Sequence, residues 1–238
     1  MSATPELERF AEALERDAAL DQLALLVGQW DHPDADVAAY RQRLDEIAEL
    51  ARPRVEAPQS SLQRALTIAD VLFAELRFRG NVEDYYDPRN SFLAQVLDRR
   101  LGIPITLSVL FLEIARRVGV IAQGVSFPGH FLVRVADDDR WRVLDPFASG
   151  RLLSPADLEE LLRRSAGPDA VLQPSLLAPA TKRQIVTRIL VNLAGIYGRN
   201  GDLPRSLVVL ERLALLDPDN SRLARELANL QRSVDSLN

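Results

Sequence analysis

The chain has 238 residues, of which 47% are apolar and 26% charged, with a formal net charge of −5 and no cysteine. A chain of this size and composition can bury a substantial core. The lack of cysteine excludes disulfides, thiolate catalysis and cysteine-bound metals, and the acidic balance argues against nucleic acid as a partner. Without a signal-peptide layout or an apolar run of about 20 residues, we expect a cytoplasmic protein that does not enter a membrane.

The first hundred residues have the apolar spacing of successive helices. Apolar positions recur every three or four residues, and proline, glycine and short polar turns separate the repeating segments. We therefore predict helices over residues 5–17, 19–30, 35–51, 62–77 and 92–99. Pro53 is expected to end the third of these helices.

The middle of the chain changes from helical to alternating spacing. Gly102-Ile103-Pro104 precedes a predicted helix over 105–118, and Gly119 is typical of a helix end. Strands are then predicted over 120–126, 129–136 and 140–145.

The last two predicted strands form a hairpin that brings His130 near Asp145. A two-residue turn at Asp137-Asp138 would place His130 directly opposite Asp145 and Arg134 opposite Trp141. A carboxylate there orients an imidazole and supports its charged form, as in a catalytic base. The prediction depends on the pairing register, because a slip of one residue would put the two side chains on opposite faces of the hairpin. The alternative is a half-buried histidine and an acid that caps an Asp-Pro turn.

A polar segment before the central helix is a second candidate site. It contains Tyr85, Tyr86, Asp87 and Asn90, which we count as candidate binding residues together with Trp141 of the hairpin. The structural alternative is that Asn90 caps the following helix while Asp87 shapes a turn before proline.

Residues after 180 are again helical in pattern, with helices predicted over 181–199, 203–216 and 219–235. Eight positions fit the spacing of a tetratricopeptide repeat: Leu190, Leu193, Ala194, Tyr197, Gly201, Ser206, Leu210 and Pro218. Serine at 206 departs from the alanine that this repeat prefers. One repeat cannot bury its apolar face alone, so we expect it to pack on the main domain or to form a homodimer. A peptide-binding groove is the functional alternative, and residues 166–180 are predicted to be a linker.

Four segments resemble one family: YYDPRNSFL, RRLGIPITLS, GVSFPGHFLVR and LDPF. They are similar to the transglutaminase-like superfamily, and more narrowly to its bacterial SirB-type branch of invasion-gene regulators, which carries a C-terminal tetratricopeptide region. The resemblance covers about residue 35 to the end. It implies an α+β, mostly helical fold: a papain- or transglutaminase-like core with a small antiparallel sheet, then a helical tetratricopeptide-like module. We accordingly divide the chain into an N-terminal helical segment (1–54), the core (55–170) and the module (181–238).

The same resemblance assigns the site residues. His130 matches the catalytic histidine and Asp145 the catalytic acid, while counting back from Gly119 places Pro104 at the position of the catalytic cysteine. Proline has no nucleophile and no N–H to hold an oxyanion. Thr106 and Ser108 carry the nearest hydroxyls, but a threonine in the first turn more simply bonds to the helix backbone.

These residues favour a non-catalytic transglutaminase-like protein that binds a protein or peptide, or regulates one, and needs no cofactor. One alternative is a hydrolase or acyl transferase that uses Thr106, Ser108 or an activated water with His130 as base. Another is a metal-assisted enzyme using His130, Asp145 and Asp87. With two histidines and no cysteine, the chain has few ligands for a transition metal. Enzymatic activity is thus left open, with thiol catalysis excluded.

Overall fold

The computed structural model describes residues 4–57 and 60–236. Its α-helices are α1 (Pro5–Glu15), α2 (Leu20–Val27), α3 (Val37–Val55), α4 (Ser61–Ala69), α5 (Leu93–Arg99), α6 (Pro104–Arg117), α7 (Pro155–Ala166), α8 (Lys182–Asn200), α9 (Leu203–Leu216) and α10 (Ser221–Asp235). The strands are β1 (Arg79–Gly80), β2 (Leu101–Gly102), β3 (Ala122–Val125), β4 (Leu132–Asp137), β5 (Arg140–Asp145) and β6 (Arg151–Leu153). The predicted class, mostly helical with a small antiparallel sheet, is confirmed.

Helix α6 lies at the centre of the molecule. Every residue from Pro104 to Ala115 is buried, so this helix has to be covered on all sides. Helices α2, α3, α4, α5 and α8 pack around it, together with the sheet. Pro104 occupies the first helical position, where its fixed φ suits the helix and its missing N–H would have had no partner within the helix.

The larger sheet has the antiparallel order β3-β4-β5-β6 and is covered on both faces. Val133, Val135 and Leu144 join the main core, whereas Leu132 and Val143 face a second cluster formed with α7 and the segment after it. This division follows from the alternation of side chains along a strand. The sheet therefore holds the end of its central hairpin against the buried helix α6.

The hairpin register differs from the predicted one by two residues. The turn is Asp138-Asp139, so Asp137 pairs with Arg140, and Trp141 lies opposite Ala136. Asp138 has φ 51°, a left-handed conformation that aspartate tolerates in tight hairpin turns. Because the shift is even, every side chain stays on its predicted face.

Helix α3 continues past its predicted end to Val55. Pro53 lies in the last turn, where it removes only one helical hydrogen bond. Ala51 and Val55 are fully buried, and their packing outweighs that loss.

Several short elements escaped prediction. A π-helical segment (Asp70–Glu75) continues α4, and β1, β2 and β6 are only two or three residues long. The predicted linker after α7 lies against the sheet: Arg134 donates to the Leu177 carbonyl at 2.9 Å, and the Ala180 N–H donates to the Gly124 carbonyl at 2.8 Å.

The C-terminal helices share the core of the preceding residues. Helix α8 packs on α9 and α9 on α10, while Ile185, Val186 and Ile189 of α8 are buried with apolar residues of α2 and α6. The apolar face of α8 is thus covered by α2 and α6.

Candidate active site

The polar segment 81–91 forms a loop closed by the parallel pair β1–β2. The Asn81 N–H donates to the Gly102 carbonyl at 2.9 Å, which ties the start of the loop to the end of β2, two residues before α6. Inside the loop, fully buried Asn90 accepts a hydrogen bond from the Asn81 side chain at 3.0 Å and donates to the Asp84 carbonyl at 2.8 Å. These bonds satisfy a buried amide and fix the loop.

Asp87 is buried in the same loop and pairs with two arginines. Its carboxylate accepts hydrogen bonds from the Arg89 N–H and guanidinium and from Arg99, the last at 2.9 Å. Burial alone would raise the pKa of Asp87, but the hydrogen bonds from Arg89 and the charge of Arg99 hold it below its usual value. Asp87 and Asn90 thus have partners inside the chain, which favours their structural role, and Tyr85 and Tyr86 remain the candidate ligand contacts.

Thr106 joins this loop to the start of α6. Its buried hydroxyl accepts a hydrogen bond from the Ile103 N–H at 3.1 Å and lies 2.7 Å from the Asn90 carbonyl, to which it donates. The single hydroxyl proton is therefore committed to the backbone.

Ser108 lies about one turn beyond Pro104 in α6 and is also buried. Its hydroxyl donates to the carbonyl of Phe131, the residue after His130, at 3.4 Å. Pro104 precedes Ser108 by four residues and shares its helix face. The position that the resemblance gives to the nucleophile thus lies on the side of α6 that faces the segment carrying His130.

His130 and Asp145 form a hydrogen-bonded pair at the end of the hairpin. Nε2 of His130 lies 2.9 Å from Oδ1 of Asp145, and the two side chains are 14% and 7% exposed. His130 belongs to the turn before β4 rather than to a paired strand, so the predicted direct opposition is wrong although the expected contact is present. Asp145 is held in place because Oδ1 also accepts the Phe147 N–H at 3.0 Å.

This geometry assigns the two imidazole nitrogens. An ionised carboxylate only accepts hydrogen bonds, so Nε2 of His130 carries the hydrogen that faces Asp145. The other nitrogen, Nδ1, is then the one available to take a proton from, or give one to, a bound molecule. A hydrogen-bonded histidine and carboxylate are also the arrangement of base and orienting acid in a catalytic triad.

Three aromatic rings extend from His130 toward the surface. Phe147 meets the His130 ring edge-on at a centroid distance of 5.9 Å, Tyr85 meets Phe147 at 6.0 Å, and Tyr86 meets Tyr85 at 5.3 Å. We call His130, Phe147, Tyr85 and Tyr86 the aromatic row. Gly80 permits it, since a Cβ there would lie 2.5 Å from the Phe147 ring. The predicted site omitted Phe147 and Gly80, although Phe147 ends the LDPF segment.

Trp141 lies at the other end of the hairpin. It is opposite Ala136, six residues along the strand from His130 or about 20 Å at the usual rise. The guanidinium of Arg134 lies 4.2 Å from the Trp141 ring. The structure therefore separates Trp141 from the other candidate residues.

Neither a metal cluster nor a membrane-spanning helix is found in residues 4–57 and 60–236. No three histidine, aspartate or glutamate side chains there come together to hold an ion. No helix of that part of the chain is both long and apolar enough to cross a bilayer.

Comparison with known proteins places these features in a family. The model of the transglutaminase-like superfamily matches residues 38–191. A UPF0162 protein of Xylella fastidiosa (strain 9a5c) is 40% identical over 213 residues, which cover 87% of this chain and 76% of the relative. A UPF0162 protein of Pseudomonas aeruginosa is 32% identical over 220 residues, 91% of this chain and 79% of the relative. F-box only protein 21 of Mus musculus is 33% identical over 139 residues, 55% of this chain but 21% of that protein.

No solved structure matches the chain with significance. The family model spans well over half of the sequence, from the start of α3 to the middle of α8, and includes every candidate residue of the site. On the strength of that match and of the UPF0162 relatives, the chain belongs to the transglutaminase-like superfamily.

Proposed function

We propose that this chain is a transglutaminase-like protein without a thiol nucleophile, which acts as a protein- or peptide-binding or regulatory module. One observation carries the proposal: Pro104 opens α6, where the resemblance puts the family's cysteine, and His130 and Asp145 are paired at 2.9 Å. Covalent acyl transfer needs a nucleophile beside its base, and a proline cannot serve as one. A fixed and partly exposed imidazole can still take part in recognising a polypeptide.

The neighbouring hydroxyls support this proposal because both are engaged elsewhere. Thr106 donates to the Asn90 carbonyl at 2.7 Å and Ser108 to the Phe131 carbonyl at 3.4 Å, and both residues are 0% exposed. An attacking hydroxyl must instead give its proton to the base. Either residue would have to break its bond and turn before it reached His130.

We further propose that α8–α10 form a tetratricopeptide-like extension, that the protein belongs to the SirB-type branch, and that it works in the cytoplasm. Two antiparallel helices followed by a third fit one repeat with a closing helix. The relation to F-box only protein 21, where the match covers 21% of the length, supports use of the domain as a module within longer proteins. A homodimer remains the alternative partner to a second protein.

A Pro104→Cys variant tests the site. The chain has no cysteine, so the introduced thiol is the sole thiol in the protein. If residue 104 holds the nucleophile position, Nδ1 of His130 lies close enough to stabilise the thiolate and lower the thiol pKa. We expect iodoacetamide to alkylate Pro104→Cys faster in mildly acidic solution than Pro104→Cys/His130→Ala. Equal rates in the two variants would contradict the assignment of Pro104.

A second candidate function is hydrolysis by an activated water with His130 as base. It is favoured by the intact pair, in which Asp145 engages Nε2 and leaves Nδ1 free to face a substrate. It predicts ester or amide turnover that disappears in His130→Ala while the thermal midpoint of unfolding is unchanged. If the chain is instead non-catalytic, as we propose, the wild type and His130→Ala should both show only the uncatalysed rate of ester or amide hydrolysis. A serine-hydrolase probe should then label neither Thr106 nor Ser108.

A further inference from the structure

Helix α8 is basic in a protein that is acidic overall. The chain has a net charge of −5, yet α8 contains one lysine, three arginines and no acidic residue. Lys182 pairs with Asp17 at 2.6 Å, and Arg183 donates to the carbonyl that ends α9 at 2.6 Å. Within residues 4–57 and 60–236, Arg188 and Arg199 make no ion pair. Two cations of this helix are therefore uncompensated.

These two arginines lie on one face of α8. They are eleven residues apart, which is close to three turns and about 16 Å along the helix. Gly195 lies between them on the same face and is exposed, and a Cβ there would have no atom within 4 Å. We call Arg188, Gly195 and Arg199 the basic face. Its middle is open because glycine has no side chain to fill it.

The basic face borders the aromatic row. The guanidinium of Arg199 lies 3.9 Å from the centre of the Tyr86 ring. Burial raises the pKa of Tyr85, and the nearby positive charge of Arg188 partly offsets that rise. Tyr86 is 58% exposed, whereas the row ends at the 14% exposed side chain of His130. The row thus leads from the basic face toward the candidate active site.

A groove continues from Arg188 along α8. Its volume is about 630 Å³, and its lining includes Arg183, Arg188 and Val191 of α8, Ser126, four residues before His130, and one carboxylate, Asp217. Val191 is 50% exposed. Arginine and aromatic side chains are enriched at protein interfaces, and this surface presents both beside an exposed apolar residue.

We propose that the basic face and the groove bind an extended acidic segment of a partner protein. Its carboxylates would pair with Arg188 and Arg199, and its apolar side chains would lie on Tyr86 and Val191. A span of up to about 16 Å corresponds to carboxylates roughly four or five residues apart at about 3.3 Å per residue in an extended chain. This inference rests on the proposed function, since it names the class of peptide that the site would recognise.

The same contacts disfavour a nucleic acid. Base stacking needs an open aromatic face, but Arg199 covers a face of Tyr86, and Tyr85 meets both neighbouring rings edge-on. The net charge of −5 also repels a polyanion of high charge density more strongly than a segment with a few separated carboxylates. Two cations suit a peptide with separated carboxylates better than a continuous phosphate backbone.

Fluorescence polarisation with a labelled dodecapeptide of alternating glutamate and alanine tests the proposal on the full chain. Arg188→Gln and Arg199→Gln are each expected to weaken binding about tenfold, because each removes a charge pair at the interface. Arg188→Lys keeps the charge and should retain most of the affinity. Arg225→Gln is the matched control, since Arg225 lies on another helix, α10, and among the described residues its guanidinium bonds only to the Ser221 carbonyl.

A steric variant separates binding from folding. Gly195→Leu has room at its Cβ and removes a helical glycine, so the thermal midpoint should not fall, while the new side chain should block the basic face. The proposal is overturned by unchanged binding in both glutamine variants, by equal binding of the glutamine-alanine peptide, or by tighter binding of a twelve-nucleotide oligothymidylate. The Pro104→Cys alkylation test does not involve this surface, so failure here would leave the assignment of the nucleophile position standing.

Discussion

The buried hydroxyl of Thr106 gives the most direct test of a structural against a catalytic role. Thr106→Val keeps the shape of the side chain but leaves the Ile103 N–H and the Asn90 carbonyl without their partner. Each buried group left unsatisfied costs about 1–3 kcal/mol, so the free energy of unfolding should fall by roughly 2–5 kcal/mol. For a chain of this size, the corresponding drop in thermal midpoint is roughly 5–15 °C. Urea denaturation followed by circular dichroism measures the change directly.

Two variants serve as controls. Thr106→Ser retains the hydroxyl and should lose only the small contribution of a buried methyl, about 1 kcal/mol. Thr67→Val makes the same change in α4, where the partly exposed hydroxyl donates to the Gln63 carbonyl at 3.0 Å, and should cost well under 1 kcal/mol. A Thr106→Val protein as stable as the wild type would refute the inference that this hydroxyl links α6 to the loop.

Three further predictions concern the surroundings of the site. Gly80→Ala should lower the unfolding free energy by about 1–3 kcal/mol, because its Cβ would lie 2.5 Å from the Phe147 ring, and a second change of Phe147→Leu should restore part of the loss in a double-mutant cycle. Asp21→Ala should lower the free energy of unfolding by about 1–3 kcal/mol at neutral pH, since it removes the carboxylate that lies 2.5 Å from the buried Arg117, which keeps Glu113 and Asp45 as partners. Burial would raise the pKa of Asp21, but hydrogen bonds from Arg117 and Arg41 lower it in the folded protein. The stabilisation is therefore complete above the unfolded pKa and is lost as the pH falls through the folded value, so the gap between wild type and Asp21→Ala should narrow in acid, and a constant gap would contradict this linkage. Neutral His130 should carry its hydrogen on Nε2 in long-range 1H–15N spectra, and a signal from the Nδ1–H form would show that Asp145 does not orient the ring.

The helices were predictable because their apolar residues repeat at helical spacing over many positions. The predicted span 203–216 is the observed span of α9, and α8 differs by one residue at each end. The strands β1 and β2 could not be predicted, because two residues are too few to show an alternating apolar pattern. Their pairing also joins segments more than twenty residues apart in the sequence. The prediction that α3 ends at Pro53 was wrong for a related reason. The burial of Val55, which stabilises the last turn, depends on packing that the local sequence does not show.

The candidate site was predictable in part. The His130–Asp145 contact was expected from the hairpin and is present, although His130 lies in the turn before β4 and not on a paired strand. The bond between Thr106 and Asn90 joins residues sixteen positions apart through a backbone carbonyl, for which side-chain patterns provide no signal. Arg199 reaches Tyr86 from a helix more than a hundred residues later in the chain. The catalytic and binding roles assigned to these residues stay predictions.

The sharing of apolar contacts by α2, α6 and α8 bears on how the molecule can be shortened. The alanine- and proline-rich segment before Thr181 has the composition of a linker, at which a truncation would normally be made. Truncation there would remove Ile185, Val186 and Ile189 from the hydrophobic core. A fragment truncated before Thr181 would expose apolar surface of α2 and α6 and would lack Arg199, which contacts Tyr86. Any dissection of this protein should therefore proceed by point changes within an intact polypeptide.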